Sequence, residues 1–119
     1  MTSGYERPTE PPKGVMYCLR WADGRLRHFH PSQLAVRFCT GPQDVYTILQ
    51  VKIVPDDQGE FWCWHDWRDN RYCMVFHDLL LLKVCFPYGL DSAEKACHGV
   101  RVRARVEIVD ENPPPETRS

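Results

Sequence analysis

The chain has 119 residues, 43% hydrophobic and 26% charged, with a formal net charge of −1. That length holds one domain. A net charge so close to zero supplies no global field to recruit nucleic acid or an anionic membrane, and the longest apolar run, the four leucines 79–82, is far too short to span a bilayer.

Residues 1–6 (MTSGYE) lack a basic start and an apolar run, so the sequence reads as having no secretory leader and as intracellular, in the cytoplasm. Its six cysteines are then expected to be reduced. Segments 1–14 and 110–119 are rich in Pro, Glu, Thr and Ser and nearly free of apolar residues. They cannot bury enough surface to offset the entropy of ordering, so both are expected to be disordered tails around a single globular domain, 15–109.

Residues 15–22 alternate and read as a strand. Asp23-Gly24 is a type I′ hairpin signal, since both central residues of that turn need positive φ. Residues 25–30 form the return strand. A two-residue loop would pair Trp21 with Leu26, Leu19 with His28 and Tyr17 with His30. Residues 32–39 read as a short helix, with Pro31 and Ser32 where an N-terminus wants them and Leu34, Ala35, Phe38 and Cys39 on one face. At period two the same residues make a strand, and this alternative stays open. Gly41-Pro42 stops either element. Residues 45–54 are a strand, apolar on both sides.

Residues 61–68, Asp69-Asn70 and 71–76 repeat the hairpin, with Trp67 facing Tyr72, His65 facing Met74 and Cys63 facing Phe76. Residues 78–86 repeat the helix, with Asp78 at its start and Leu80, Leu81, Val84 and Cys85 on one face, and here too a strand stays open. Residues 90–99 read as a loop or one helical turn. In the last strand, Val100, Val102, Ala104, Val106 and Ile108 alternate strictly with Arg101, Arg103, Arg105 and Glu107.

Two stretches therefore resemble each other. Trp21-Ala22-Asp23-Gly24-Arg25 returns 46 residues later as Trp67-Arg68-Asp69-Asn70-Arg71, and five of the 24 positions in 16–39 are identical in 62–85. After nine extra residues in the second copy, 45–54 matches 100–109. The expected fold is α+β or mostly β: two pseudo-repeated ββ(α)β units, 15–54 and 60–109, related by a pseudo-twofold and forming an antiparallel sheet with up to two helices.

Candidate chemistry is sparse. Zinc wants four converging ligands, usually from a closely spaced cysteine pair. The tightest arrangements here are His28-x-His30, Cys63-x-His65 and Cys97-His98, so no metal ligands are assigned. Cys97 beside His98 is the best nucleophile–base pair, and adjacent strand residues point apart. No catalytic residues and no cofactor are assigned, and the chain reads as not an enzyme. Arg101, Arg103 and Arg105 project from one strand face and could track phosphates, or form the rim of a contact surface. Phe61-Trp62-Cys63-Trp64-His65-Asp66-Trp67 is the most aromatic segment, and Trp and Tyr anchor interfaces. Trp62, Trp64, Trp67 and Tyr72 are thus the candidate contact residues. The expected function is a non-enzymatic intracellular binding or regulatory module acting through protein–protein contact, with a second copy among the candidate partners. The alternatives are a nucleic-acid-binding domain using the arginine face, and a zinc-binding or cysteine-based enzyme.

Overall fold

A computed structural model describes residues 15–41 and 43–114. The tail expected over 1–14 and residues 115–119 of the tail expected over 110–119 lie outside the described residues. The chain order is β1 (Met16–Trp21), β2 (Leu26–His30), α1 (Gln33–Arg37), β3 (Tyr46–Pro55), β4 (Phe61–Asp66), β5 (Arg71–Phe76), α2 (Leu79–Val84), α3 (Leu90–Ala96) and β6 (Gly99–Asp110). The fold is mostly antiparallel β, six strands hydrogen-bonded in the order β2-β1-β3-β6-β4-β5, with three short helices among the described residues. No described helix is long and apolar enough to cross a membrane. The described residues divide into two compact units: a first of 15–52 with 106–114, and a second of 53–105.

In the first unit β1 pairs antiparallel with β2 and β3. The hairpin turn is longer than the two-residue loop expected. Trp21 N donates to Arg25 O, Gly24 N donates to Trp21 O, and Asp23 Oδ1 accepts from Arg25 N. Gly24 has φ +90°, which suits the left-handed position of a three-residue loop. The register near the turn is therefore Arg20↔Leu26 and Leu19↔Arg27 rather than Trp21/Leu26 and Leu19/His28. A bulge with His28 at φ 62° takes up one residue and restores the expected Tyr17↔His30 pair. On β3, Met16↔Val51 and Cys18↔Leu49 are all buried. α1 packs on β1 and β2 and buries Gln33 and Val36. It does not bury the expected Leu34, Ala35, Phe38 and Cys39 face. The helix ends at Arg37, so Phe38 lies past its last turn and is 83% exposed. β6 runs to Asp110; beyond it Glu111 pairs with Arg20 at 3.0 Å, and Gln33 Nε2 donates to Pro113 O.

In the second unit β4 pairs antiparallel with β5 and β6. Its turn also differs from expectation. Asp66 Oδ1 accepts from Arg68 N and Asp69 N, Asn70 has φ 50°, and Trp67 lies in the turn with its N–H donating to His98 O. The register is His65↔Tyr72, Trp64↔Cys73 and, past a bulge with Met74 at φ 54°, Trp62↔Phe76. Of the expected pairs Trp67/Tyr72, His65/Met74 and Cys63/Phe76, the first two are displaced by two residues, because the turn is longer than two, and the third, past the bulge, by one. Phe61↔Ala104, Cys63↔Val102 and His65↔Val100 make one fully buried sheet face. The opposite face carries Trp62 and Trp64 under α2 and α3. Trp64 packs with Leu82, Leu90 and Ala93, and its ring centroid is 4.5 Å from Phe86.

The registers correspond pair by pair. Met16↔Val51 matches Phe61↔Ala104, Cys18↔Leu49 matches Cys63↔Val102, and Trp21↔Tyr46 matches Asp66↔Gly99. The bulges at His28 and Met74, and the buried helix residues Val36 and Leu82, match as well. Leu82 stands 46 residues after Val36 and Val102 stands 53 after Leu49, so this register places seven extra residues between helix and last strand rather than nine. α3, expected as a loop or one turn, is itself seven residues.

Candidate functional site

Burial divides the aromatic candidates of the second unit. Alternation along β4 puts Trp62 and Trp64 on the helix-covered face, and cover is complete only over Trp64, which is 4% exposed. Tyr72 is buried with its ring 4.6 Å from that of His65. Trp62 is half-buried, and the Arg103 guanidinium lies 5.6 Å above its ring. Only Trp67, in the turn, presents a large free surface at 46%, with His98 edge-on at 5.2 Å. Trp64 and Tyr72 are core side chains, because a strand apolar on both faces is covered on both faces.

The three arginines of β6 are engaged within their own unit. Arg101 Nη2 meets Asp91 Oδ1 at 2.6 Å, its Nε lies 3.5 Å from Glu94, and its backbone N–H donates to Glu94 Oε2. Arg103 Nε donates to Gly59 O at 3.0 Å. Arg105 lies 3.5 Å from Asp56. α3 supplies two of these carboxylates. The alternation of the strand marked the arginines out, and only the fold shows that acids from other segments meet Arg101 and Arg105 and a backbone carbonyl meets Arg103.

The cysteines and histidines are distributed rather than gathered. Among the described residues no three His, Cys, Asp or Glu side chains form a cluster able to hold a metal ion. Cys18 and Cys63 are buried; Cys39, Cys85 and Cys97 are exposed. Burial pushes the Cys18 thiol up to about 12, only partly offset by Arg20. Burial also raises Cys63, with Cys73 beside it adding to the effect, and raises Cys73 itself. Thiols held protonated at neutral pH are poor nucleophiles and poor metal ligands. Cys39 and Cys85 each donate one turn back, to Ala35 O and Leu81 O. His65 Nε2 lies 3.1 Å from Asn70 Oδ1, and burial lowers its pKa against the raising effects of Asn70 and Asp66.

The first unit carries an open groove of about 700 Å³, lined in part by Gln33, Arg37, Asp44, Tyr46, Thr47 and Asn112. The carboxylate among these, Asp44, accepts from Gly41 N at 2.8 Å.

A surface that the sequence marked only as a shared helix face is the outer side of α2. Asp78 caps this helix by accepting from Leu80 N at 2.9 Å. Leu82 faces inward with Leu79 half-buried, while Leu80, Leu81 and Val84 are 63%, 51% and 74% exposed. The expected common face of Leu80, Leu81 and Val84 exists, but it points to solvent. The signal was present in the run itself, since four consecutive leucines in one helix cannot all point the same way. No protein-family model, curated protein or solved structure matches this chain.

Proposed function

We propose that this chain is a non-enzymatic intracellular binding module that acts through protein–protein contact, and that its contact surface is the outer face of α2. The observation that carries this reading is the exposure of Leu80, Leu81 and Val84 on one helix. Scattered exposed apolar residues are ordinary, whereas a contiguous apolar stripe on a helix signals a contact surface. Helix-in-groove or helix-on-helix recognition reads such stripes. Trp67 and Trp62 supply aromatic surface elsewhere on the same unit. The intramolecular partners of Arg101, Arg103 and Arg105 support a protein partner over a nucleic acid, because arginines already paired have fewer donors left for phosphate. Raised thiol pKa values support a structural role for the buried cysteines.

The paired registers support a second part of this reading: the two ββ(α)β units arose by duplication, and the second gained α3. On that reading Cys18 corresponds to Cys63 and Leu19 to Trp64, because first strands and hairpins keep one register in both units.

The test is photo-crosslinking in the cells that make the protein. A photoreactive residue at Leu81 should form discrete protein adducts, and the same residue at exposed Arg27 on β2 should not. Absence of any protein adduct at position 81, self-adducts included, would sink the reading.

A further inference from the structure

The groove of the first unit is built from that unit alone, since every residue lining it falls within 15–52 or 106–114. Its volume of about 700 Å³ lies in the range of small-molecule sites, about 300–1,000 Å³. Polar ties hold its walls. Gln33 on α1, buried at 1% exposure, donates from Nε2 to Pro113 O at 3.4 Å. The loop after α1 is closed twice, by Asp44 N donating to Gly41 O at 3.2 Å and Gly41 N donating to Asp44 Oδ2 at 2.8 Å. Walls fixed in this way are formed before a ligand arrives.

Two charged side chains line the groove, Arg37 and Asp44, and they have opposite signs. Arg20 and Arg25 of the same unit meet Glu111 and Asp23. Arg37, exposed in the last turn of α1, has no ion pair among the described residues. Asp44 is also exposed, and its carboxylate binds the Gly41 N–H with no cation beside it among the described residues. A carboxylate has about four acceptor sites, so Asp44 keeps most of its capacity. The two charges therefore line one groove without closing on each other. Between them the wall is mixed: Val45 is 74% exposed, Ile48 is half-buried, and the half-buried Thr47 hydroxyl makes no hydrogen bond among the described residues.

Charge complementarity selects the ligand. A simple anion drawn to Arg37 meets the repulsion of Asp44, and a simple cation drawn to Asp44 meets that of Arg37. A molecule carrying both charges satisfies both. We infer that this groove binds a small zwitterion with an apolar body, an α-amino acid or a short free peptide, its carboxylate on the Arg37 guanidinium, its ammonium on Asp44 and its side chain against Val45 and Ile48. Guanidinium and carboxylate match as a bidentate pair. Both protein charges are exposed, and exposed ion pairs are weak, so the site works at about millimolar ligand. It is independent of the α2 surface, which belongs to the other unit.

Amide NMR of the purified full chain tests this, with L-leucine and leucyl-leucine as probes up to about 20 mM and near pH 6.5, where amines stay protonated. At least one probe should give saturable shifts at Val45 and Thr47, and the tighter of the two tells a free amino acid from a peptide. Each probe's N-acetyl form lacks the ammonium and its C-amide form lacks the carboxylate; both should bind about tenfold more weakly than the parent. Arg37→Gln should bind the parent no more tightly than its amide form. Asp44→Asn, which keeps an oxygen for Gly41 N, should bind the parent no more tightly than its acetyl form. Arg27→Gln, at an exposed arginine of β2 outside the groove, should change nothing. Four results would each overturn the inference: no saturable shift with either probe, shifts centred outside the groove, an acetyl or amide form as tight as its parent, or full discrimination retained in both groove variants.

Discussion

The first unit has Leu19 on β1 where the second unit, in the same register, has Trp64 on β4; both are buried. In the first, bulk sits at the strand end, where the rings of Trp21 and Tyr46 meet edge-on at 6.0 Å. In the second, the position matching Tyr46 is Gly99, and a Cβ there would strike the Trp64 indole nitrogen. Large and small have changed places between neighbouring positions. Trp64 is wider than a single helix of six residues covers, and Leu90 and Ala93 of α3 complete its cover. The same helix brings Asp91 and Glu94 to Arg101. A tryptophan, a glycine, the helix α3 and its acids thus form one packing solution. The helix and acids have no counterpart in the first unit, where β3 follows α1.

Four measurements would break or sharpen this contrast. Trp64→Ala should cost about 4 kcal/mol of unfolding free energy in urea, against about 3 kcal/mol for Leu19→Ala. A loss at Trp64 no greater than at Leu19 would mean that α3 closes onto the vacated space. Gly99→Ala should cost about 2 kcal/mol by overpacking against Trp64, and Trp64→Leu in the same chain should reduce that penalty. Independent, additive losses would separate the two positions.

The third concerns pH. His65 occupies the register position where the first unit has Arg20. Burial lowers the folded-state pKa of His65 below its ordinary 6.5. The unfolded chain therefore binds the proton first, and stability is full above pH 6.5 and falls as pH drops below it. The slope from this one group is at most about 1.4 kcal/mol per pH unit. Urea midpoints from pH 7.5 down to 5 should show the fall, and His65→Gln should flatten it; an unchanged profile in that variant would place the acid sensitivity elsewhere. The smallest effect is at the helix start. Asp78→Ala should cost about 1 kcal/mol by removing the N-cap of α2, and Asp78→Asn much less, since asparagine also caps. Equal losses would assign the effect to charge instead.

Much of the plan was legible from local chemistry. The two hairpins, the short helices begun by Ser32 and Asp78, and the alternating last strand follow from turn residues, capping residues and side-chain periodicity, all of which act within a few residues. Exact pairing was not legible. Asp23-Gly24 marks a turn, yet whether two or three residues form it depends on an Asp23 side-chain bond and on the bulge at His28 downstream. The aromatic run on β4 announced itself, but exposure is a property of what lies over it, and α3 comes from residues 90–96, well beyond the run.

By itself, then, the sequence determined the strands, the hairpins and their order, and left 32–39 and 78–86 open between helix and strand, because propensity, capping and turn chemistry are local. Only the tertiary structure decided which apolar residues are core and which are surface. It turned Trp64 and Tyr72 inward, gave Arg101 its carboxylates, and left Leu80, Leu81 and Val84 outside. Leucine carries the same hydrophobic drive on either side of a helix. Which side is covered depends on which distant segments have the shape and volume to pack there.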